Sequence, residues 1–349
     1  MIQRSILCSM VILFAITGCK KSETVTPQET PLPYTEGVYV LNEGNFGRVN
    51  STVTLYNPDS ARTYQDVLGT LGDTGNDIVL FGTKGFIVVN NSHKVIVFST
   101  ETNQVLGTIQ LPNKSPRQIA VVSETKAYVT NWNTNAVTVI NPTTFQVVKD
   151  SIAVGSSPEG IAIANGKAYV CNSGWGSDST VSVIDIATDN VVKTIIVGKG
   201  PNSVGVDADG DVFVQCSGYS DWSNPANDTP GSVSVINSKA DTVTVAIPFP
   251  LATYGHPSEI AVSKNGYALL SVKNGIAKID TKTNAIVLSA LVSTSSAYSI
   301  AVDDVTDYIY VADAKNYITD GEVKIYDKNG NAIGSFTTGI IPGDIAFKH

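Results

Sequence analysis

From Gly37 onward, short apolar runs alternate with polar turns, and the runs themselves recur. An apolar run returns at residues 39–42, 87–90, 128–131, 169–172, 213–216, 268–271 and 310–313, a period in the range of propeller blades. We label this strand b. A β-branched run, strand c, follows each copy at 53–56, 95–98, 137–140, 181–184, 233–236, 276–279 and 323–326. Several of these alternate apolar with polar positions, as half-buried strands do. A more polar outer strand d follows, for example 146–152, and an inner strand a recurs at 77–81, 118–122, 160–164, 203–207, 259–263, 299–303 and 344–348. The pattern predicts an all-β chain, a seven-bladed β-propeller of four-stranded blades. The repeat region begins on a b strand and finishes on an a strand, so the C-terminal strand is expected to complete blade one and close the ring, which removes open edges. A solenoid would carry capped ends in place of a permuted last repeat.

Antiparallel strands place the a-to-b and c-to-d turns on one face and the b-to-c and d-to-a loops on the other. The first set is short hairpin material, such as Asn165-Gly166, Asn265-Gly266 and Asn329-Gly330. The second is longer and aromatic, which is where binding residues tend to sit on a rigid scaffold. Phe46, Trp132, Trp175, Tyr219, Trp222, Tyr254, Tyr298 and Tyr317 all map there, and these include every tryptophan of the chain. Packing explains any one of them alone; together, with Asn and Ser between them, they read as a recognition surface. Residues just ahead of each a strand should ring the channel mouth: Asn76, Asp77, Arg117, Gln118, Glu159, Asn202, Ser258, Glu259, Tyr298 and Asp344. They either solvate the pore and join blades or, among Asp77, Glu259 and Asp344, hold a cation. The candidate ligand-binding set is Phe46, Arg117, Trp132, Glu159, Trp175, Tyr219, Trp222, Tyr254, His256, Tyr298 and Tyr317, with no metal site and no cofactor assigned.

Ahead of the repeats, Arg4 precedes an apolar run from Ile6 to Ile16, then Thr17, Gly18 and Cys19. The run falls well short of the ~20 residues of a membrane span and reads as a signal peptide. The segment Ile16-Thr17-Gly18-Cys19 resembles the lipobox of bacterial lipoproteins, which implies lipidation at Cys19. Residues 1–18 are thus expected to be a leader, 19–35 a tether too poor in apolar residues to fold, and 36–349 the propeller. Only Arg4 of the 23 basic residues lies in the leader, so the mature chain carries 22 against 31 acidic residues, a formal charge of −9. That charge disfavours nucleic acid. Cys171 and Cys216 show no C-x-x-C spacing and read as buried apolar residues.

Enzyme signatures are missing. No G-x-S-x-G, H-E-x-x-H, P-loop or C-x-x-C-H run occurs. Of three histidines, His93 and His256 map to the loop face and His349 is the last residue. Asp207-Ala208-Asp209-Gly210-Asp211 has calcium-loop spacing at its start, but it occupies a short a-to-b turn with no glutamate at the closing position, so it reads as an Asp-Gly hairpin.

The runs Ala127-Tyr128-Val129-Thr130-Asn131 and Ala168-Tyr169-Val170-Cys171-Asn172, each followed by a β-branched strand, resemble the YVTN repeat of YncE-like bacterial propellers. Blade six departs from it at Leu269-Leu270-Ser271. The opening Val38-Tyr39-Val40-Leu41-Asn42-Glu43-Gly44-Asn45-Phe46-Gly47 is similar to that of Bacteroidetes surface lipoproteins of this fold, a group that includes the propeller capturing cobalamin for a vitamin B12 outer-membrane transporter. The resemblance implies a non-enzymatic outer-membrane lipoprotein, held to the membrane by its lipid alone, that captures cobalamin or a related large nutrient and passes it to a transporter. Whether it faces the periplasm or the medium stays open. Two other classes remain: a metal-dependent lyase resembling the streptogramin lyases, with His256 beside Glu259 or Glu159, and an adhesive or protein-binding propeller.

Overall fold

The computed structural model describes residues 36–349. The expected leader, the Cys19 lipidation site and the tether lie outside them. Among the described residues there are seven four-stranded antiparallel sheets, each ordered a-b-c-d from the channel outward. Blade one is built from Pro342–Lys348, Gly37–Asn42, Thr52–Asn57 and Arg62–Tyr64. The last strand of the chain pairs with the first, in the register Gly37 to Lys348, Tyr39 to Ala346 and Leu41 to Asp344. The ring therefore closes as the repeat order predicts.

The core lies between blades. Each of seven apolar clusters takes its buried side chains mainly from two neighbouring blades, one cluster for each seam. Across the first seam, for example, Tyr39, Leu41 and Val53 meet Ile78, Ile87 and Phe98. Strands b and c are apolar on both sides because each sits between two such clusters, whereas the outer strand Gln146–Ala153 is largely exposed. Cys171 and Cys216 are free thiols buried in one seam, and burial holds the Cys216 thiol up at about 12.

The repeated tyrosine and asparagine have structural uses. The Tyr169 hydroxyl donates to Asp241 Oδ1 at 2.5 Å and the Ser238 carbonyl at 3.0 Å, both in the next blade, while Lys167 reaches the same Asp241 at 2.7 Å. Tyr128 with Lys126 does the same to Asp189 one blade earlier, and Tyr39 donates to Asn103 Oδ1 at 2.7 Å. At the other end of the strand, Asn172 Nδ2 donates to Thr180 Oγ1 and Ser182 Oγ, each at 3.0 Å, clamping strand b to strand c. Asn42 and Asn131 are placed alike. The Asn165-Gly166 turn has both residues at positive φ, 46° and 73°, the geometry that suits a right-handed twisted hairpin. In the Asp-rich turn, Asp207 Oδ1 accepts the Asp209 and Asp211 N–H groups, so that carboxylate serves its own hairpin.

Candidate functional site

The chain enters several inner strands through a residue of positive φ followed by proline: Ser115 before Pro116, Ser157 before Pro158, Gly200 before Pro201 and Ile341 before Pro342. A register shift follows in the strands Pro116–Ser123, Pro158–Ala164 and Pro201–Val206. Bulges of this kind re-aim side chains next to sites. Here they set the residues just inside each strand around one polar cavity of about 150 Å³ at the channel mouth, lined by Glu43, Asn76, Arg117, Gln118, Glu159, Asn202, Ser203, Ser258, Glu259, Tyr298 and Gly343.

One wall of the cavity is a stacked cluster. Arg117 Nε donates to Glu159 Oε2 at 2.9 Å, and its Nη1 donates to Asn76 Oδ1. The guanidinium carbon sits 3.8 Å from the centre of the Trp132 ring, a cation–π contact. Trp132 Nε1 donates to the other oxygen of Glu159 at 2.9 Å. Trp175 leans on Trp132 with ring centres 4.4 Å apart, and it remains 70 % exposed. Trp175 has φ 55° and is flanked by Gly174 at 49° and Gly176 at 88°, so its outward pose rests on backbone that a bulky residue seldom adopts. The short helical turn Gly174–Gly176 is held by Gly176 N–H donating to the Ser173 carbonyl at 2.8 Å.

The opposite wall centres on Glu43. The Tyr298 hydroxyl donates to Glu43 Oε1 at 2.9 Å, and Tyr298 meets the Tyr317 ring edge-on at 5.7 Å. A Cβ at position 343 would lie 2.5 Å from Glu43 Oε1, so only glycine there leaves room for this carboxyl. Burial pushes Glu43 up to about 7, against the hydrogen bond from Tyr298 and the charge of Arg117, with Asp344 adding repulsion. Burial likewise raises Glu259 well above the usual range.

Of the two uses the sequence allows the mouth carboxyls, joining blades is the one their hydrogen bonds serve. Asp77 Oδ2 accepts the Ile119 N–H at 2.7 Å, Asp344 Oδ2 accepts the Ile78 N–H at 2.8 Å, and Glu259 Oε2 accepts the Ile300 N–H at 2.8 Å. Asp77 also hydrogen-bonds to Asp344, and burial beside that second carboxyl raises Asp77 well above its ordinary range. Among the described residues no group of three or more His, Cys, Asp or Glu is arranged to hold a metal ion.

The other candidates separate into two kinds. Trp222, Phe46 and Tyr317 are exposed on the loop face, Trp222 at 96 %. Trp222 rides on a loop that is stapled internally, since Tyr219 and Thr229 exchange hydrogen bonds and Asp221 caps Ser223, Asn224 and Asn227. Tyr219 is half-buried in that loop. Tyr254, in contrast, ends the short helix α1 (Leu251–Tyr254) and packs edge-on against buried Phe249 at 4.9 Å, as part of the core. His256 is also built in: its Nδ1 lies 2.9 Å from the Ser217 carbonyl and its Nε2 3.4 Å from Asp228. His93 Nδ1 accepts the Ser115 N–H, and His349 pairs with Asp303 at 2.9 Å. Glu43, Ser203 and Gly343 were missed by the sequence reading. The hint available for Glu43 was its position directly after the b-strand asparagine, at the rim where that strand meets the loop face.

A family model described as "Domain of unknown function (DUF5074)" matches residues 36–333. The chain belongs to that family. The DUF5074 match ends before the strand Pro342–Lys348 that closes the ring. Comparison with curated proteins found no match. Among solved structures, a functionally unknown protein from Desulfotomaculum acetoxidans superposes with TM-score 0.69 at 15 % identity over 90 % of this chain and 99 % of that one. A quinonprotein alcohol dehydrogenase-like protein from Bacteroides thetaiotaomicron gives 0.63 at 16 % over 90 % and 78 %, and Kuenenia stuttgartiensis hydrazine synthase gives 0.62 at 20 % over 73 % and 77 %. At these identities the likeness is one of fold, shared by propellers of many functions.

Proposed function

We propose that this DUF5074 propeller is a non-enzymatic capture protein of the bacterial outer membrane, which binds a large small-molecule nutrient on its loop face and passes it to a transporter. The observation that carries the reading is the join of two features: a polar cavity at the channel mouth and, packed behind its Arg117–Glu159 wall, a half-buried Trp132 that carries the exposed Trp175. Large ligands with apolar faces and polar rims match such a surface. Cobalamin is the first candidate. Its corrin ring is too broad for a cavity of about 150 Å³ and would lie across the mouth, against Trp175 and the Trp222 loop, with peripheral groups pointing inward. The YVTN resemblance and the lipobox-like leader support the outer-membrane setting, with Cys19 as the lipid anchor. No helix of the described residues is long and apolar enough to cross a membrane.

A contact with a protein such as the transporter is favoured by a second patch. Phe46, Val49, Tyr317 and Ile318 are 77, 57, 52 and 72 % exposed on the neighbouring loops of blades one and seven, which Asn45 Nδ2 ties together through the Tyr317 carbonyl at 2.7 Å. The lyase reading has less geometry behind it, because both nitrogens of His256 face Ser217 and Asp228.

Because all three tryptophans lie on the loop face, intrinsic fluorescence reports on it directly. Titration of the chain with cobalamin, corrected for ligand absorbance and run beside haem, should give saturable, cobalamin-selective quenching. Trp175→Ala should weaken it by about tenfold or more. A flat response to cobalamin would remove that ligand.

A further inference from the structure

We propose that the channel-mouth cavity is a subsite for neutral hydrogen-bond-donating groups, primary amides or hydroxyls, and that it rejects carboxylates and phosphates. The proposal rests on the capture reading above and says what part of the ligand goes inside.

The one cation of the lining, Arg117, would suggest an anion site. Its Nε and Nη1 are held by Glu159 and Asn76, and one face of its guanidinium is covered by Trp132. Other donors are occupied too: Asn76 Nδ2 by the Arg117 carbonyl at 2.7 Å, Asn202 Nδ2 by the Ser258 carbonyl at 3.2 Å, and the Tyr298 hydroxyl by Glu43. What remains includes carboxyl acceptors beside the Gln118 amide and the Ser258 hydroxyl. Glu43 has a second oxygen, and Glu259 Oε1 has only Ser299 Oγ at 3.5 Å. Buried acceptors without donors cost free energy, so a ligand that brings N–H or O–H groups is favoured. An incoming anion meets Glu43 and Glu259 with Asp344 behind them. It is repelled by them while they are charged, and binds only if they hold or take up protons. Arg117 is paired with Glu159, so the lining carries no net positive charge to offset this.

Such neutral donors could come from the amide-bearing rim of a corrinoid or from the end ring of a saccharide, and calorimetry can separate the sources. The full chain is purified in a zwitterionic detergent, so that no glycoside is present. One arm compares cobalamin with its monocarboxylate derivatives, each with one peripheral amide hydrolysed to the acid. The other compares cellobiose and maltose with glucuronic acid and glucose 6-phosphate. The expected result is at least one monocarboxylate binding tenfold or more weakly than cobalamin, with most of the loss recovered in Glu43→Gln, and a tenfold loss for cobalamin in Gln118→Ala. Neutral sugars binding while their acidic counterparts do not would support the subsite with a saccharide source and remove the corrinoid. Cobalamin bound equally well as amide or acid, and indifferent to Gln118→Ala, would overturn the subsite and leave capture standing. Acidic probes binding as tightly as neutral ones, or no probe binding at all, would also overturn it.

Discussion

The two faces of the ring treat polar side chains in opposite ways. On the turn face, Lys167, Tyr169 and Asp241 satisfy one another across a seam, as do Lys126, Tyr128 and Asp189. Within these triads each group has its partner in the protein, and the side chains are mostly withdrawn from water. On the loop face, acceptors remain around a cavity and large aromatics stand in solvent, with Trp175 and Trp222 the most exposed tryptophans. The same blades supply both faces, so the difference lies in the loops. Fasteners between blades occur at both ends of the ring, and the loop end adds large exposed aromatics, so substitutions can separate the two.

The largest effect should come from the one element both faces depend on. Removing the residues after Pro342 strips the first strand of its inner partner and takes Asp344 away from the Ile78 N–H. The expected outcome is loss of the cooperative thermal transition, or a fall in Tm of more than about 15 °C, read by circular dichroism. Next comes the turn face. Asp241→Ala leaves the Lys167 ammonium and the Tyr169 hydroxyl only the Ser238 carbonyl as a shared acceptor in a largely buried place, and removes the carboxylate that pairs with Lys167, and should cost about 2–4 kcal/mol in denaturant unfolding, with ligand affinity unchanged.

A smaller, pH-limited effect belongs to Glu43. Its folded pKa is raised from 4.5 to about 7, so the folded chain holds this proton more tightly than the unfolded one. Its favourable contribution is complete below the unfolded value and is lost as pH rises through the folded one. Glu43→Gln, which keeps an acceptor for Tyr298, should match the native chain at pH 4 and exceed it by about 1–3 kcal/mol at pH 8.5, measured as the difference in unfolding free energy. An equal gain at both pH values would show that the carboxyl is not held in a desolvated place. The smallest stability effect is expected for Trp222→Ala. With 96 % of its surface in water, truncation should change stability by less than about 0.5 kcal/mol while weakening ligand binding.

Much of the architecture was legible before the structure. Period-two alternation and Asn-Gly turns are local signals, and a repeat that starts on strand b and stops on strand a can close only by pairing its ends. The division of the loops between faces followed from antiparallel order. The site was less legible, because its key pairings are between residues far apart in sequence. Asp344 serves the Ile78 N–H 266 positions away, so which of the two uses the mouth carboxyls have was not legible from local sequence. Tyr254 resembled a surface aromatic because it falls in a loop, but α1 turns it onto Phe249. Glu43 escaped notice because loop residues follow no period, and its direction depends on Gly343 from the other end of the chain.

The division of labour between the faces is tested most directly by hydrogen–deuterium exchange of the full chain with and without cobalamin. Added protection should fall on residues 43–51, 132–136, 173–179 and 217–231, with the turn-face hairpins around Asn165-Gly166 and Asp241 unchanged. Protection centred on those hairpins, or spread evenly over both faces, would contradict the account.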